Sequence, residues 1–222
     1  PPPPPRPPAT PPRAPPPPPP AHLVASDASA ELLTAAPGPV VLDEAYAPLA
    51  TASDREHCAE RGTVLVMRTV SKLGLAGLRL GYIFGLPSII EQLNKIRLPY
   101  NINILTQISA DFALSNKTLF DEQTLNLRSE RARVFKFLDE LRQITAYPSA
   151  ANFILFRTER ESADPIFSSL KQQGILIKNT SPQGGLLKDC LRVTIGKPDE
   201  NNAFMNALKK SLDMHNLALG RP

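Results

Sequence analysis

Lys72 lies close to two hydroxyl residues and an arginine. Ser71 precedes it directly, Thr69 lies just before that, and Arg79 follows at the end of a glycine-containing stretch. A lysine amine can condense with an aldehyde to form a Schiff base. Hydroxyl and guanidinium groups donate hydrogen bonds to phosphate. These residues could therefore bind a ligand that carries both an aldehyde and a phosphate.

An acidic residue follows an apolar run upstream of this lysine. Residues 40–42 are Val-Val-Leu, Asp43 comes next, and Tyr46 lies three residues later. The short, β-branched run after a Pro-Gly-Pro turn predicts a buried strand, and ligands gather at the carboxyl ends of such strands. A carboxylate there can keep a pyridine nitrogen protonated. Together with Lys72 and its neighbours, Asp43 predicts a site for pyridoxal phosphate.

The composition allows one or two domains with a hydrophobic core. The chain has 222 residues, of which 42% are hydrophobic, and this suffices for a folded α/β protein. Fifteen of the 25 prolines lie within residues 1–20. We predict that this tract is disordered and extended, as an inert leader rather than as a ligand for SH3 or WW domains.

Charge and cysteine usage exclude several classes of protein. The net charge is +4, but basic and acidic residues are interspersed, so nucleic-acid binding is not expected. Cys58 and Cys190 lack the spacing of metal ligands and are expected to be free thiols in a reducing cytoplasm, with no metal bound. No apolar stretch is long enough for a membrane span. The isolated histidines are expected to be solvated and are assigned no role: His22, His57 and His215.

Strands and helices are predicted to alternate along the chain, which indicates an α/β fold. Strands are expected over residues 40–42, 63–67, 80–84, 152–156, 174–178 and 190–195, and helices over 26–36, 54–61, 87–97, 103–114, 118–142, 164–173 and 199–214. The long helix would link two units. We expect a cofactor-binding unit over residues 21–117, and the linking helix with a small C-terminal α/β domain over 118–222.

Five motifs, in order, resemble the histidinol-phosphate aminotransferases, a family of fold type I pyridoxal-phosphate enzymes. They occupy residues 41–46, 69–82, 99–101, 151–153 and 190–196. The resemblance runs from about residue 30 to about residue 215. It implies a partial fold type I structure, in which a remnant of the large α/β/α domain is followed by the small domain.

The family resemblance implies a role for each cofactor-binding residue. Lys72 would hold pyridoxal phosphate covalently and carry a proton to and from the substrate Cα. Asp43 would face the pyridine nitrogen, and Tyr46 would donate a hydrogen bond to the phenolic oxygen of the ring. The phosphate would be bound by the remaining hydroxyl and guanidinium groups, those of Ser71, Arg79 and Thr69.

Three further residues are implied in substrate binding. Arg192 lies in an otherwise apolar strand, where an unpaired guanidinium would cost several kcal/mol; a substrate α-carboxylate or a structural ion pair would each satisfy it. The resemblance favours the carboxylate. Asn152 would face the same ligand, and Lys178 stands where many relatives have an arginine associated with the distal phosphate of the substrate.

The implied reaction has two halves. Glutamate would leave its amine on the cofactor, and imidazole-acetol phosphate would accept it to give histidinol phosphate, in histidine biosynthesis. Two alternatives remain open: another aminotransferase or threonine-phosphate decarboxylase of the same superfamily, and a noncatalytic remnant whose polyproline tract binds a partner.

The family also has N-terminal segments, and this chain has a proline tract in their place. In the family these segments support a homodimer, donate backbone N–H groups to the phosphate and stack a ring on the cofactor. A sheet of about three strands would expose apolar edges and faces. We therefore expect the isolated chain to fold poorly or to need a complementing piece, with a doubtful dimer and severely reduced activity.

Overall fold

Two β-sheets form the framework of the protein. The computed structural model describes residues 31, 33–50, 63–159 and 161–218. The first sheet has the order β1-β2-β3, with β1 (Val40–Asp43) parallel to β2 (Val64–Thr69) and β3 (Gly81–Phe84) antiparallel to it. The second sheet is antiparallel and has the order β4-β5-β7-β6, formed by β4 (Ile144–Ala146), β5 (Phe153–Thr158), β6 (Lys178–Asn179) and β7 (Cys190–Thr194).

Five helices of eight or more residues connect and cover these strands in the described ranges: α1 (Pro87–Ile96), α2 (Ile104–Ser115), α3 (Lys117–Asp139), α4 (Ala163–Gln172) and α5 (Pro198–Ala218). Their starts follow from local chemistry. Pro87 occupies the first turn of α1, where its missing N–H costs nothing. Asn103 caps α2, because its side-chain oxygen accepts from the Thr106 N–H at 2.9 Å.

The main core lies between the second sheet and helices α3, α4 and α5. Ile154 and Phe156 of β5 point into this core, together with Leu138 of α3. Side chains alternate along a strand, so Phe153 and Leu155 lie on the opposite face of β5. The helices therefore cover one face of the sheet and leave the other face for the candidate site.

Removing a core side chain from α3 should destabilise the protein strongly. Leu138 is fully buried, whereas Leu125 on the same helix is 61% exposed. Leu138→Ala should lower the free energy of unfolding by about 3 kcal/mol, since it leaves a cavity. Leu125→Ala should change it by less than about 0.5 kcal/mol. Urea unfolding with an unchanged m-value measures both, and equal effects would contradict this position of the core.

The structure corrects two of the predicted strands and adds one. The strand expected over 174–178 begins only at Lys178, because Gly174 has a φ of 80° and turns the chain after α4. The strand expected to be buried at residues 40–42 is open on one side, since Val41 is 51% exposed. The three-residue strand β4 was missed, because so short a segment has no readable periodicity.

The first sheet and its helices expose apolar side chains, as expected for three strands. Met67 and Tyr82 are exposed in the strands. Among the described residues, α1 buries none of its own side chains, and α2 buries Ala110 and Ala113. The helix predicted over 54–61 lies outside the described residues, as does most of that over 26–36. None of the helices in the described ranges has both the length and the apolar composition of a membrane span.

Candidate functional site

Parallel pairing of β1 and β2 brings the predicted aspartate and lysine to one edge of the first sheet. Asp43 ends β1 and is the register partner of Met67 in β2. Two residues later β2 ends at Thr69, and Lys72 lies in the short 3-10 turn that follows. The carboxyl ends of parallel strands meet at the same edge. Asp43 and Lys72 therefore leave the sheet on the same side.

The amine of Lys72 lies over the ring of Tyr46. Its Nζ is 4.9 Å from the ring centroid, within the range of a cation–π contact. The Tyr46 ring in turn contacts Phe153 edge to face, with ring centroids 6.0 Å apart and an interplanar angle of 84°. Aromatic pairs favour this geometry. Tyr46 thus connects Lys72, which follows the first sheet, to the second sheet.

The predicted substrate arginine also contacts Phe153. The guanidinium carbon of Arg192 is 4.7 Å from the Phe153 ring centroid. Its Nε is buried and has no hydrogen-bond partner among the described residues. Lys178 is its register partner in β6, so two cations lie side by side on this face. A buried donor without a partner has the chemistry of an anion-binding group.

The predicted phosphate-binding hydroxyls form one cluster at the end of β2. The Thr69 and Ser71 hydroxyl oxygens are 2.8 Å apart, and the Ser71 N–H donates to Thr69 Oγ1 at 3.0 Å. Thr69 Oγ1 also lies 3.1 Å from the carbonyl oxygen of Leu80. Arg79 is exposed, with a φ of 52°, and its side chain reaches the carbonyl of Ala76 at 3.5 Å. Its guanidinium is therefore directed to solvent, beside the turn that follows the hydroxyl cluster.

An ion pair beside the site was missed by the sequence analysis. Glu44 Oε2 accepts from Nε and from a terminal nitrogen of Arg68, at 2.8 and 2.5 Å. Burial lowers the pKa of Arg68, but hydrogen bonds and charge interactions with Glu44 and Tyr82 together outweigh this effect, and the net pKa is raised. A charged residue inside the apolar strand β2 was the available signal. This ion pair fixes Glu44, the residue after Asp43, to Arg68 of β2.

The two remaining residues predicted to bind substrate, Asn152 and Lys178, are less buried than the core residues around them. Asn152 is half-buried, and its carbonyl accepts from the Ile195 N–H at 2.9 Å. Lys178 is exposed.

The expectation for His215 was wrong: it is half-buried, and its Nε2 lies 2.9 Å from Ser162 Oγ. Cys190 is a free, buried thiol, and burial raises its pKa; Cys58, His22 and His57 lie outside the described residues.

Known proteins resemble most of this chain. Residues 27–208 match the family model described as "Aminotransferase class I and II". The chain is 50% identical over 188 residues to histidinol-phosphate aminotransferase 2 of Nitrosococcus oceani, covering 85% of this chain and 52% of that protein. The chain thus spans about half the length of the curated relatives it matches.

Solved structures share the fold. The histidinol-phosphate aminotransferase from Clostridium acetobutylicum superposes with a TM-score of 0.77 at 24% identity, over 86% of this chain and 60% of that one. The enzyme from Sinorhizobium meliloti, solved in complex with pyridoxal-5'-phosphate, gives 0.67 at 27% identity, over 79% and 49%. The predicted fold type and family are therefore confirmed. The chain belongs to the class I and II aminotransferases, a family of pyridoxal-phosphate-dependent enzymes.

Proposed function

We propose that this chain supplies the lysine and the substrate-anion side of a histidinol-phosphate aminotransferase site. The observation that supports this most directly is the continuous contact from Lys72 through Tyr46 and Phe153 to Arg192. Two contacting rings thus separate a nucleophilic amine from an arginine whose buried Nε has no partner among the described residues. The relatives named histidinol-phosphate aminotransferase support the choice of substrate.

The donor set fits pyridoxal phosphate. An amine, two clustered hydroxyls and a strand-end carboxylate leave the same edge of the first sheet. Asp43 is exposed there, and one of its oxygens accepts from the Ala45 N–H at 3.0 Å, so its other oxygen can accept from a ring nitrogen. When bound, the cofactor supplies an electron sink for the electron pair left at the substrate Cα.

The side chains around the cofactor would divide the work of binding and proton transfer. Lys72 would bind the aldehyde carbon and, once released by substrate, carry the proton of the substrate Cα as general base and acid. Asp43 would hold the proton on the ring nitrogen, because a carboxylate favours the charged form. Tyr46 would donate to the phenolic oxygen. Ser71, with Thr69 and Arg79, would bind the phosphate.

Arg192 and Lys178 would bind the anionic groups of the substrates. The α-carboxylate of glutamate can satisfy the unpartnered Nε of Arg192. Lys178, its neighbour across β6 and β7, would attract the phosphate of imidazole-acetol phosphate as a point charge. Asn152 would contact the same ligand from the start of β5. We assign the reaction to histidine biosynthesis in the cytoplasm, without nucleic-acid or membrane partners.

Comparing amino donors in single half-reactions tests this function. The protein loaded with pyridoxal phosphate should lose its visible absorbance far faster with histidinol phosphate than with phenylalanine, because the adjacent cations select a phosphate-bearing amine. Threonine phosphate carries a phosphate as well, so its comparison with histidinol phosphate is decided by the products. Product analysis separates amine transfer from decarboxylation. Faster reaction with phenylalanine, or release of carbon dioxide from threonine phosphate, would overturn the assignment to histidinol phosphate. A chain that takes up no cofactor would overturn the whole function.

A further inference from the structure

Two arginines of α3 reach across to the segment that follows Tyr46. Arg128 donates to the carbonyls of Pro48 and Ala50, at 2.7 and 2.5 Å. One turn further along α3, Arg131 donates to the carbonyl of Leu49 at 3.1 Å. All these acceptors are backbone oxygens. The arginines therefore hold the main chain after Tyr46, whatever side chains it carries.

Unlike Arg128, Arg131 also hydrogen-bonds a second segment of the backbone. Its other terminal nitrogen donates to the carbonyl of Ala151 at 2.8 Å. Leu49 lies three residues after Tyr46, and Ala151 lies two residues before Phe153. A single guanidinium thus bridges the two backbone segments whose rings meet at 6.0 Å.

The energetics of Arg131 favour a role beyond stability. Burial, and then the charge of Arg128, lower the pKa of Arg131. Taking a cation partly out of water costs free energy, and here two backbone carbonyls offset part of that cost. The planar guanidinium offers several donors in a fixed fork. That geometry lets one side chain fix the separation of two carbonyls, whereas an apolar side chain has no donor and the three donors of an ammonium rotate about a single nitrogen.

We propose that Arg131 is a positioning residue that fixes the separation of Tyr46 and Phe153, and through these rings the separation of Lys72 and Arg192. The chemical consequence rests on the proposed function. A substrate held at its carboxylate by Arg192 must present its Cα to Lys72, and misplacement by about 1 Å can cost up to about a hundredfold in rate. Arg131 would act on the reaction only through these four side chains.

Hydrogen exchange tests the bridge without cofactor or substrate. Arg131→Met should accelerate exchange about tenfold in peptides covering both 43–50 and 151–155, as expected for the loss of charge-assisted bonds on both sides. Arg131→Lys should give the same result, since one ammonium cannot reproduce the fork. Arg128→Met is the matched control, and it should accelerate exchange in the peptides covering 43–50 but not in those covering 151–155. Unchanged exchange at 151–155 in both Arg131 variants would overturn the proposal.

Substrate kinetics test the consequence. Arg131→Met and Arg131→Lys should raise KM for glutamate and lower kcat/KM about tenfold or more. Binding of pyridoxal phosphate should change less, because Lys72 and its hydroxyl neighbours all lie at the end of β2 or in the turn that follows it. Arg128→Met should lower kcat/KM less than either. A proportional loss in all variants would indicate a merely structural role. Absence of cofactor uptake by the unsubstituted chain would reject the proposed function, while hydrogen exchange would still decide the bridge.

Discussion

Replacing Lys72 with alanine should abolish covalent capture of pyridoxal phosphate and lower transamination by a factor of about 10⁴. The amine over Tyr46 is the group that would bind the aldehyde and then move the substrate proton, so its loss removes two functions at once. Borohydride reduction after addition of the cofactor, followed by peptide mass analysis, measures the capture directly. The unsubstituted chain should carry the label on Lys72.

Two control variants separate nucleophilicity from charge. Lys72→Arg keeps a cation that can lie over Tyr46, but a guanidinium stays protonated and is not a nucleophile. It should therefore lose the label as completely as Lys72→Ala does. Lys95 of α1 hydrogen-bonds Gln92 on the exposed surface, and Lys95→Ala should keep full labelling. A label of undiminished strength in Lys72→Ala would remove the central assignment.

Replacing Arg192 with methionine should raise KM for glutamate about a hundredfold, which corresponds to about 3 kcal/mol. The lost interaction is the charge-assisted bond between the guanidinium and the substrate carboxylate. The same substitution should not lower the free energy of unfolding, because it removes a buried Nε that has no partner among the described residues and keeps a side chain that can pack on Phe153. Steady-state kinetics and urea unfolding measure the two effects on one variant.

Arg157 provides a matched control for Arg192. Its Nε is likewise buried without a partner among the described residues, and its guanidinium carbon is 5.8 Å from the Tyr147 ring centroid. It lies at the far end of β5, however, and donates to the carbonyl of Leu186 at 2.7 Å. Arg157→Met should leave KM for glutamate within about twofold, as for a residue that makes no substrate contact. Equal increases in KM for both variants would contradict the assignment of the carboxylate site to Arg192.

Local sequence patterns predicted most elements of the fold, because their signals are carried by neighbouring residues. The amphipathic periodicity of α3, for example, depends on side chains three and four residues apart. The prediction of a strand over 174–178 was wrong for most of its length, although it also rested on local composition. Its apolar composition favours a strand, but Gly174 turns the chain, and pairing begins only at Lys178.

The candidate site was predicted as separate motifs rather than as an arrangement. Lys72, Asp43 and Arg192 are each recognisable from the residues around them and from the family they resemble. Phe153 lies in the motif at residues 151–153 but was assigned no role, since a phenylalanine in a strand is ordinarily a core residue. Arg128 and Arg131 look like the exposed face of a long helix in the sequence. Their carbonyl acceptors lie about 80 and 20 residues away along the chain.

By itself, the sequence determined which functional groups this protein has: an amine, hydroxyls and a carboxylate at strand ends, and an arginine inside an apolar strand. These follow from residue type and short-range order, which the chain carries in its linear form. Tertiary structure alone decided that one pair of rings joins Lys72 to Arg192, and that Arg131 bridges the backbones behind those rings. Distances of this kind are set by packing between residues remote in sequence, which no local pattern encodes.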